Sequence, residues 1–423
     1  LALRVLSTAA LVAMVSSIAT AAFADTYNLN TGSVTVETKD DGYTYVTQTD
    51  TKTGDFAQNS KGDTLDGYKD TDPKGVTITS GGTPTSNTIT VNTADKQTTN
   101  VTLDNVDIRQ PDSHWSECTD PAPIEIKGNG NTNLELNGNN TVLSGNSNHA
   151  AIEKADKYGT GTLTIKDEVN DGGTGKLLAG GYEEGAAIGG GAGDLGDTSN
   201  ITITGGEITA IGGNNGGSGI GGGGRPGGTG KNIRIEGNAH VTATSEEGAA
   251  IGGGDSGGNS ITIKGHAVVD AYGKYGAAIG DGGLSVGNGR PTTITISGNA
   301  TVHAETAEFG CAIGSGQHFG SNLTINIEEN ANVTAIGSHG RPAIGNDRCA
   351  EGTTTTINIT GGTVNAINSY GSDNPSYPND GTRETGPAIG ATMEGDHGGT
   401  CNVNINSSTG DTVVNAYIYG DRK

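Results

Sequence analysis

The phrase Gly185-Ala186-Ala187-Ile188-Gly189-Gly190-Gly191 recurs through most of this chain, and no other feature restricts its fold so far. It returns as Ser218-Gly219-Ile220-Gly221, Ala249-Ala250-Ile251-Gly252, Ala277-Ala278-Ile279-Gly280, Cys311-Ala312-Ile313-Gly314, Pro342-Ala343-Ile344-Gly345 and Pro387-Ala388-Ile389-Gly390, after a degenerate copy in Ala150-Ala151-Ile152. Successive isoleucines stand 36, 32, 31, 28, 34, 31 and 45 residues apart. Self-similarity at such a period marks an array of stacked supersecondary units.

Within each unit the residues alternate at period two, the strand pattern. Ile201-Thr202-Ile203-Thr204 reads as one strand, Gly205-Gly206 as a turn, Ile208-Thr209-Ala210-Ile211 as a second strand, and Ala-Ile-Gly as a third. The unit repeats at Ile233-Arg234-Ile235 with Val241-Thr242-Ala243, at Ile261-Thr262-Ile263 with Val269-Asp270-Ala271, and onward to Ile357-Asn358-Ile359 with Val364-Asn365-Ala366. Three short strands per coil predict an all-β right-handed parallel β-helix. A helical repeat is excluded by the alternation and by the glycines, which oppose helix. A β-propeller fits less well, because its blades take four strands in about 40 residues or more.

That reading resolves an oddity of composition. A chain of 423 residues with 31% hydrophobic residues, 4% aromatic residues, 74 glycines and a net charge of -23 resembles a disordered one. A solenoid needs only one or two inward apolar side chains per strand, because each coil buries its groups against its neighbours. The acidity argues against nucleic acid as a partner, since a phosphate backbone would be repelled.

Arg4 precedes the apolar run from Val5 to Ala22, and Ala22-Phe23-Ala24 has the form of a signal-peptidase site. Residues 1–24 are therefore expected to be a signal peptide, with the mature protein beginning at Asp25. No second apolar stretch follows, so no membrane insertion is expected of a secreted or cell-surface protein. Residues 25–75 do not repeat; Ser33-Val34-Thr35-Val36 and Tyr43-Thr44-Tyr45-Val46 flank the turn Asp40-Asp41-Gly42 and read as a hairpin within an N-terminal cap. Residues 76–423 form the repeat domain. Cys349 and Cys401 lie ahead of strands in neighbouring repeats, where a disulfide is geometrically reasonable; Cys118 and Cys311 are several coils apart.

Asn105-Val106-Asp107-Ile108, Leu134-Glu135-Leu136-Asn137-Gly138-Asn139-Asn140, Gly161-Thr162-Leu163-Thr164-Ile165 and the Ala-Ile-Gly-Gly-Gly phrases give the chain a resemblance to secreted Gly-rich bacterial β-helix proteins of the carbohydrate-binding-domain type. These are similar in architecture to the pectin-lyase-like superfamily. The resemblance implies glycan contact at a surface, with calcium common among such proteins, and supplies no catalytic residues.

One corner of the coil, between the second strand and Ala-Ile-Gly, varies while the others do not. It carries Tyr182, Tyr275 and Phe309, the last two each four residues before their isoleucine, and its long loops hold Trp115, Tyr370 and Tyr377. Exposed rings in an aromatic-poor chain suit the flat faces of sugars. The same corner holds Glu183-Glu184 and Glu246-Glu247, oxygen donors of the kind calcium takes. Two coils separate the pairs, too far to share one ion. An outward column runs through Thr209, Thr242, Asp270, His303, Thr334 and Asn365, in which Asp270 beside His303 is the best acid-base pair. No Arg or Lys cluster accompanies it. The Thr-x-Thr pairs do not extend into a flat ice-binding array, because Arg234, Glu236 and Lys264 interrupt them.

The reading is a non-enzymatic glycan-binding or adhesion protein with polysaccharide as partner. The competing classes are a structural surface protein, self-associating through its edges, and a polysaccharide lyase or hydrolase.

Overall fold

Isoleucine, valine and alanine side chains from three strands per coil meet along one axis, and the columns they form set the architecture. The computed structural model describes residues 25–59, 62–72, 75–113, 121–168, 175–283, 290–317, 322–349, 351–369, 386–393, 399–407 and 412–419. Among these the strands form three sheets of 12, 10 and 13 strands, and from Val76–Thr79 onward chain-consecutive strands fall in different sheets. One full coil reads Thr198–Ile203 in the first sheet, Glu207–Ile211 in the second and Ile220–Gly221 in the third. Each pairs in parallel with its counterpart a coil later: Ile201 with Ile233, Ile208 with Val241, Ile220 with Ile251. The fold is the right-handed parallel β-helix that the repeat predicts.

The register is fixed by burial. A slip of one residue would turn every apolar side chain outward. The third-sheet isoleucines, from Ile152 through Ile188, Ile220, Ile251, Ile279 and Ile313 to Ile344, are all 0% exposed, as are Ala210, Ala243, Ala271, Ala304 and Ala335 of the second sheet. Stacked isoleucines are core.

The glycine after each of these isoleucines is required twice over. Gly189, Gly221, Gly252 and Gly280 hold φ between 137° and 144°, a region L side chains avoid. A Cβ on any of them would stand between 1.8 and 2.0 Å from the carbonyl oxygen of the glycine one coil on.

The N-terminal segment differs in part from its expected form. The hairpin is present, Val34–Thr38 pairing antiparallel with Thr44–Gln48 and the latter with Tyr68–Asp70. Yet Thr26–Asn28 and Val34–Thr38 also pair in parallel with Val76–Thr79 and Ile89–Thr93. Parallel stacking thus starts before residue 76, and the hairpin is folded back on the first coil. At the other end, Val403 and Ile405 continue the buried columns of Ile357 and Ile359 but are 41% and 51% exposed.

Candidate functional site

The variable corner is where the coil leaves the second sheet and turns into Ala-Ile-Gly. Because Ile279 and Ile313 are register partners, residues at equal offsets from them come into line. Tyr275 and Phe309 therefore stack, with ring centroids 6.1 Å apart and planes 18° from parallel. The stack continues to His339, whose ring lies 5.7 Å from that of Phe309 at 29°. All three rings are half-buried. Backbone bonds hold the rungs: Tyr275 N donates to Glu246 O at 2.8 Å and Phe309 N to Lys274 O at 2.9 Å. Ser338 Oγ donates to Glu308 O at 3.1 Å and lies 3.2 Å from His339 Nδ1. Lys274, paired with Glu246, places Nζ 4.8 Å from the centroid of the Tyr275 ring.

His339 was not singled out by sequence because it stands five residues before its isoleucine, not four. Tyr182 lies three coils before Tyr275 and outside this stack. Trp115, Tyr370 and Tyr377 fall outside the described residues.

On the preceding coils the same corner is acidic. Glu184 and Glu247 each stand four residues before their isoleucines, and Glu184 is buried. Asp255, which follows the glycine-rich turn after Ile251, comes between them. Its side chain is 5% exposed, and neither carboxylate oxygen accepts a hydrogen bond. Gly216 makes room for it, since a Cβ there would lie 2.8 Å from both oxygens. Arg225 reaches over with Nε 3.7 Å from Asp255 Oδ2 and Nη2 3.7 Å from Glu247 Oε2. Glu247 Oε2 is likewise buried without a hydrogen bond. Burial first, then the charge of Glu247, pushes the Asp255 carboxyl up to about 6 despite Arg225. Burial also raises Glu184, with Asp255 and Glu183 adding to it and Arg225 opposing.

Spacing alone separated the two glutamate pairs; Asp255 links one member of each through its charge. Among the described residues, no three His, Cys, Asp or Glu side chains converge to hold a metal ion. At this corner a guanidinium stands beside both Asp255 and Glu247. Glu246 is engaged by Lys274.

The outward column of the second sheet is in the expected register, with Asp270 opposite His303. They do not form an acid-base pair. His303 turns its Nε2 to Glu305, 3.4 Å away, and Asp270 faces His240 at 3.9 Å. Tyr272 packs on the His303 ring at 5.8 Å and 57°. Each group has a closer partner than the one the column offered.

The expected disulfide is absent. Cys349 and Cys401 are free thiols, as is Cys311. Cys401 pairs in register with Thr355, and Cys349 Sγ lies 3.4 Å from Thr353 Oγ1.

A further polar cluster had only a faint trace in sequence. In the coils before the glycine column begins, its place is taken by Glu125 and Glu153, which are register partners. Glu153 is 0% exposed; His149 Nδ1 lies 2.8 Å from its Oε2, which also accepts from Ala150 N at 3.1 Å. Glu125 is held by Lys127 at 2.8 Å and by Thr90 Oγ1 at 3.3 Å. Lys127 in turn covers the Tyr158 ring at 4.7 Å. Burial works against protonating His149, but the hydrogen bond and charge of Glu153 outweigh it and raise its pKa. Every carboxylate here is partnered, so the cluster serves to satisfy buried charge.

No helix among the described residues is long and apolar enough to cross a membrane. The family described as Beta helix repeat matches residues 201–224, 233–255, 261–283, 294–317 and 357–391. No curated protein and no solved structure matches the chain. The matched segments are the coils whose strands stack in register above, and the chain is a right-handed parallel β-helix protein.

Proposed function

We propose that this protein is a secreted or cell-surface, non-catalytic glycan-binding protein that contacts carbohydrate along the corner bearing Tyr275, Phe309 and His339. The observation that carries this reading is the stack of three half-buried rings across consecutive coils. A rigid scaffold holds them at fixed spacing, so a ligand meets a preorganised row and little ordering is lost on binding. Sugar rings offer apolar faces to such a row and hydroxyls to its polar rim.

The test is a glycan-array screen of residues 25–423, with calcium and with chelator, beside Tyr275→Ala/Phe309→Ala. Saturable binding lost in the double variant supports the reading. No binding to any glycan by a folded protein overturns it in favour of a structural surface protein. That second reading draws on the apolar residues exposed on the last described coil, Val403, Ile405, Tyr417 and Ile418, a surface suited to self-association. Sedimentation analysis would detect it.

A further inference from the structure

The acidic and aromatic stretches are not two sites but successive parts of one corner. Glu247 and Tyr275 both stand four residues before isoleucines that pair in register, Ile251 and Ile279. Their backbones are one coil apart, about 4.8 Å. Gly283 N donates to Glu247 O at 2.7 Å and Tyr275 N to Glu246 O at 2.8 Å, so the two rungs are locked together. Along the axis the corner reads Glu184, Gly216, Glu247, Tyr275, Phe309, with His339 at its end.

The acidic part is left short of positive charge. Three carboxylates, Glu184, Asp255 and Glu247, face one guanidinium. Buried carboxylates are ordinarily hydrogen-bonded. Here Asp255 Oδ1, Asp255 Oδ2 and Glu247 Oε2 accept nothing, and Asp255 has a side chain 5% exposed. Arg225 stands 3.7 Å from Asp255 Oδ2 and from Glu247 Oε2, beyond hydrogen-bond reach, and its own side chain is 54% exposed. It therefore covers the carboxylates without satisfying them, and a long exposed side chain is easily displaced. An ammonium group entering beneath it would gain the short charge-assisted bonds the arginine lacks. A metal ion is a poorer occupant, because the oxygens do not converge on one point.

Resting on the glycan reading above, we propose that the sugar this corner takes is cationic: a polysaccharide with free amino groups, such as a de-N-acetylated hexosamine chain. Its apolar ring faces lie along the outer edges of the stacked Tyr275 and Phe309 rings, and an ammonium on a neighbouring unit enters the Glu184, Asp255 and Glu247 cluster in exchange for Arg225. N-acetylation removes the charge and adds bulk, and so closes the acidic part to the ligand.

The test is calorimetric titration of the intact protein with a glucosamine hexamer, its N-acetylated counterpart and polylysine, at about pH 5 and again at about pH 7, on either side of the value of about 6 at which Asp255 changes charge. The amine-bearing hexamer is expected to bind at least about tenfold more tightly than the acetylated one. Glu247→Gln and Asp255→Asn are expected to abolish that preference without changing the acetylated hexamer's affinity. Arg225→Ala is expected to tighten amine binding, whereas an arginine serving only structure would leave it unchanged or weaken it. Equal affinity for the two hexamers, or a preference that survives both carboxylate variants, overturns this proposal while binding lost in Tyr275→Ala/Phe309→Ala leaves the glycan reading standing. Polylysine binding as tightly as the hexamer, independent of the rings, overturns the sugar as the ligand class. Failure of both hexamers and of the array overturns the two readings together.

Discussion

The ring of Phe309 stacks on that of Tyr275 at 6.1 Å although 34 residues of chain separate them. It also stacks on His339, so Phe309 is the middle rung and the only one of the three with two ring contacts. Aromatic pairs contribute about 0.5–1.5 kcal/mol each beyond buried area. Phe309→Ala should therefore cost more stability in chemical unfolding, about 1–3 kcal/mol, than His339→Ala, which removes one contact. Equal losses would show that the rings do not act as a stack.

Asp255 gives a pH signature. Its carboxyl has a pKa of about 6 in the folded protein against an ordinary 3.8. The sign follows from the charge: the folded state disfavours the ionised form, so stability is fully present below about pH 4 and is lost as pH rises through about 6. Asp255→Asn should match the natural protein in acid and exceed it at pH 7 by up to about 3 kcal/mol. A constant offset between the two across that range would contradict the assignment. The stabilised variant is also the one expected to lose amine binding, a trade of stability against function.

The glycine column predicts unequal costs for one chemical change. Gly252→Ala places a Cβ 2.0 Å from Gly280 O on a backbone at φ 140°. Neither strain can be relieved without moving a coil, and the expected loss exceeds about 3 kcal/mol. Gly81→Ala meets nothing within 4 Å at φ 59°, and should cost about 1–2 kcal/mol. Thermal melts of the two variants would separate backbone conformation from close approach.

His149 should titrate above an ordinary histidine because Glu153 holds its Nδ1. A raised value contributes stability that is present below the unfolded pKa and is lost as pH rises through the folded one. Glu153→Gln is expected to lower the His149 pKa in ring-proton NMR titration. It should also shrink the stability gained on acidification. An unchanged titration would mean that Glu153 does not control the ring.

Much of this was legible in the chain because a solenoid repeats its own rules. Ile201 and Ile203, Ile208 and Ala210, and Ile220 announce three inward-facing strands, and each later coil says so again. The start of the stack was harder to read. Thr26–Asn28 and Val34–Thr38 are strands of the first coil, but nothing in their sequence matches Ala-Ile-Gly. Tyr275 and Phe309 could be paired by counting back from Ile279 and Ile313, whereas His339 is displaced by one residue and arrives by the turn of Ser338. Asp255 had no such mark, since its environment is assembled from Gly216, Arg225 and Glu247 on different coils. Asp270 and His303 were correctly placed side by side and wrongly joined, because rotamers carry them to His240 and Glu305.

The lock between Gly252 and Gly280 has a consequence for how such a protein can change over generations. Each coil is joined to the next by the same backbone contacts, so a whole coil can be duplicated or deleted at the level of the gene with the flanking walls still in register. The corner would then gain or lose a rung intact. On the glycan reading proposed above, strength toward a long polymer would then be a matter of copy number, rising with valency, and adjustable without redesigning any single contact.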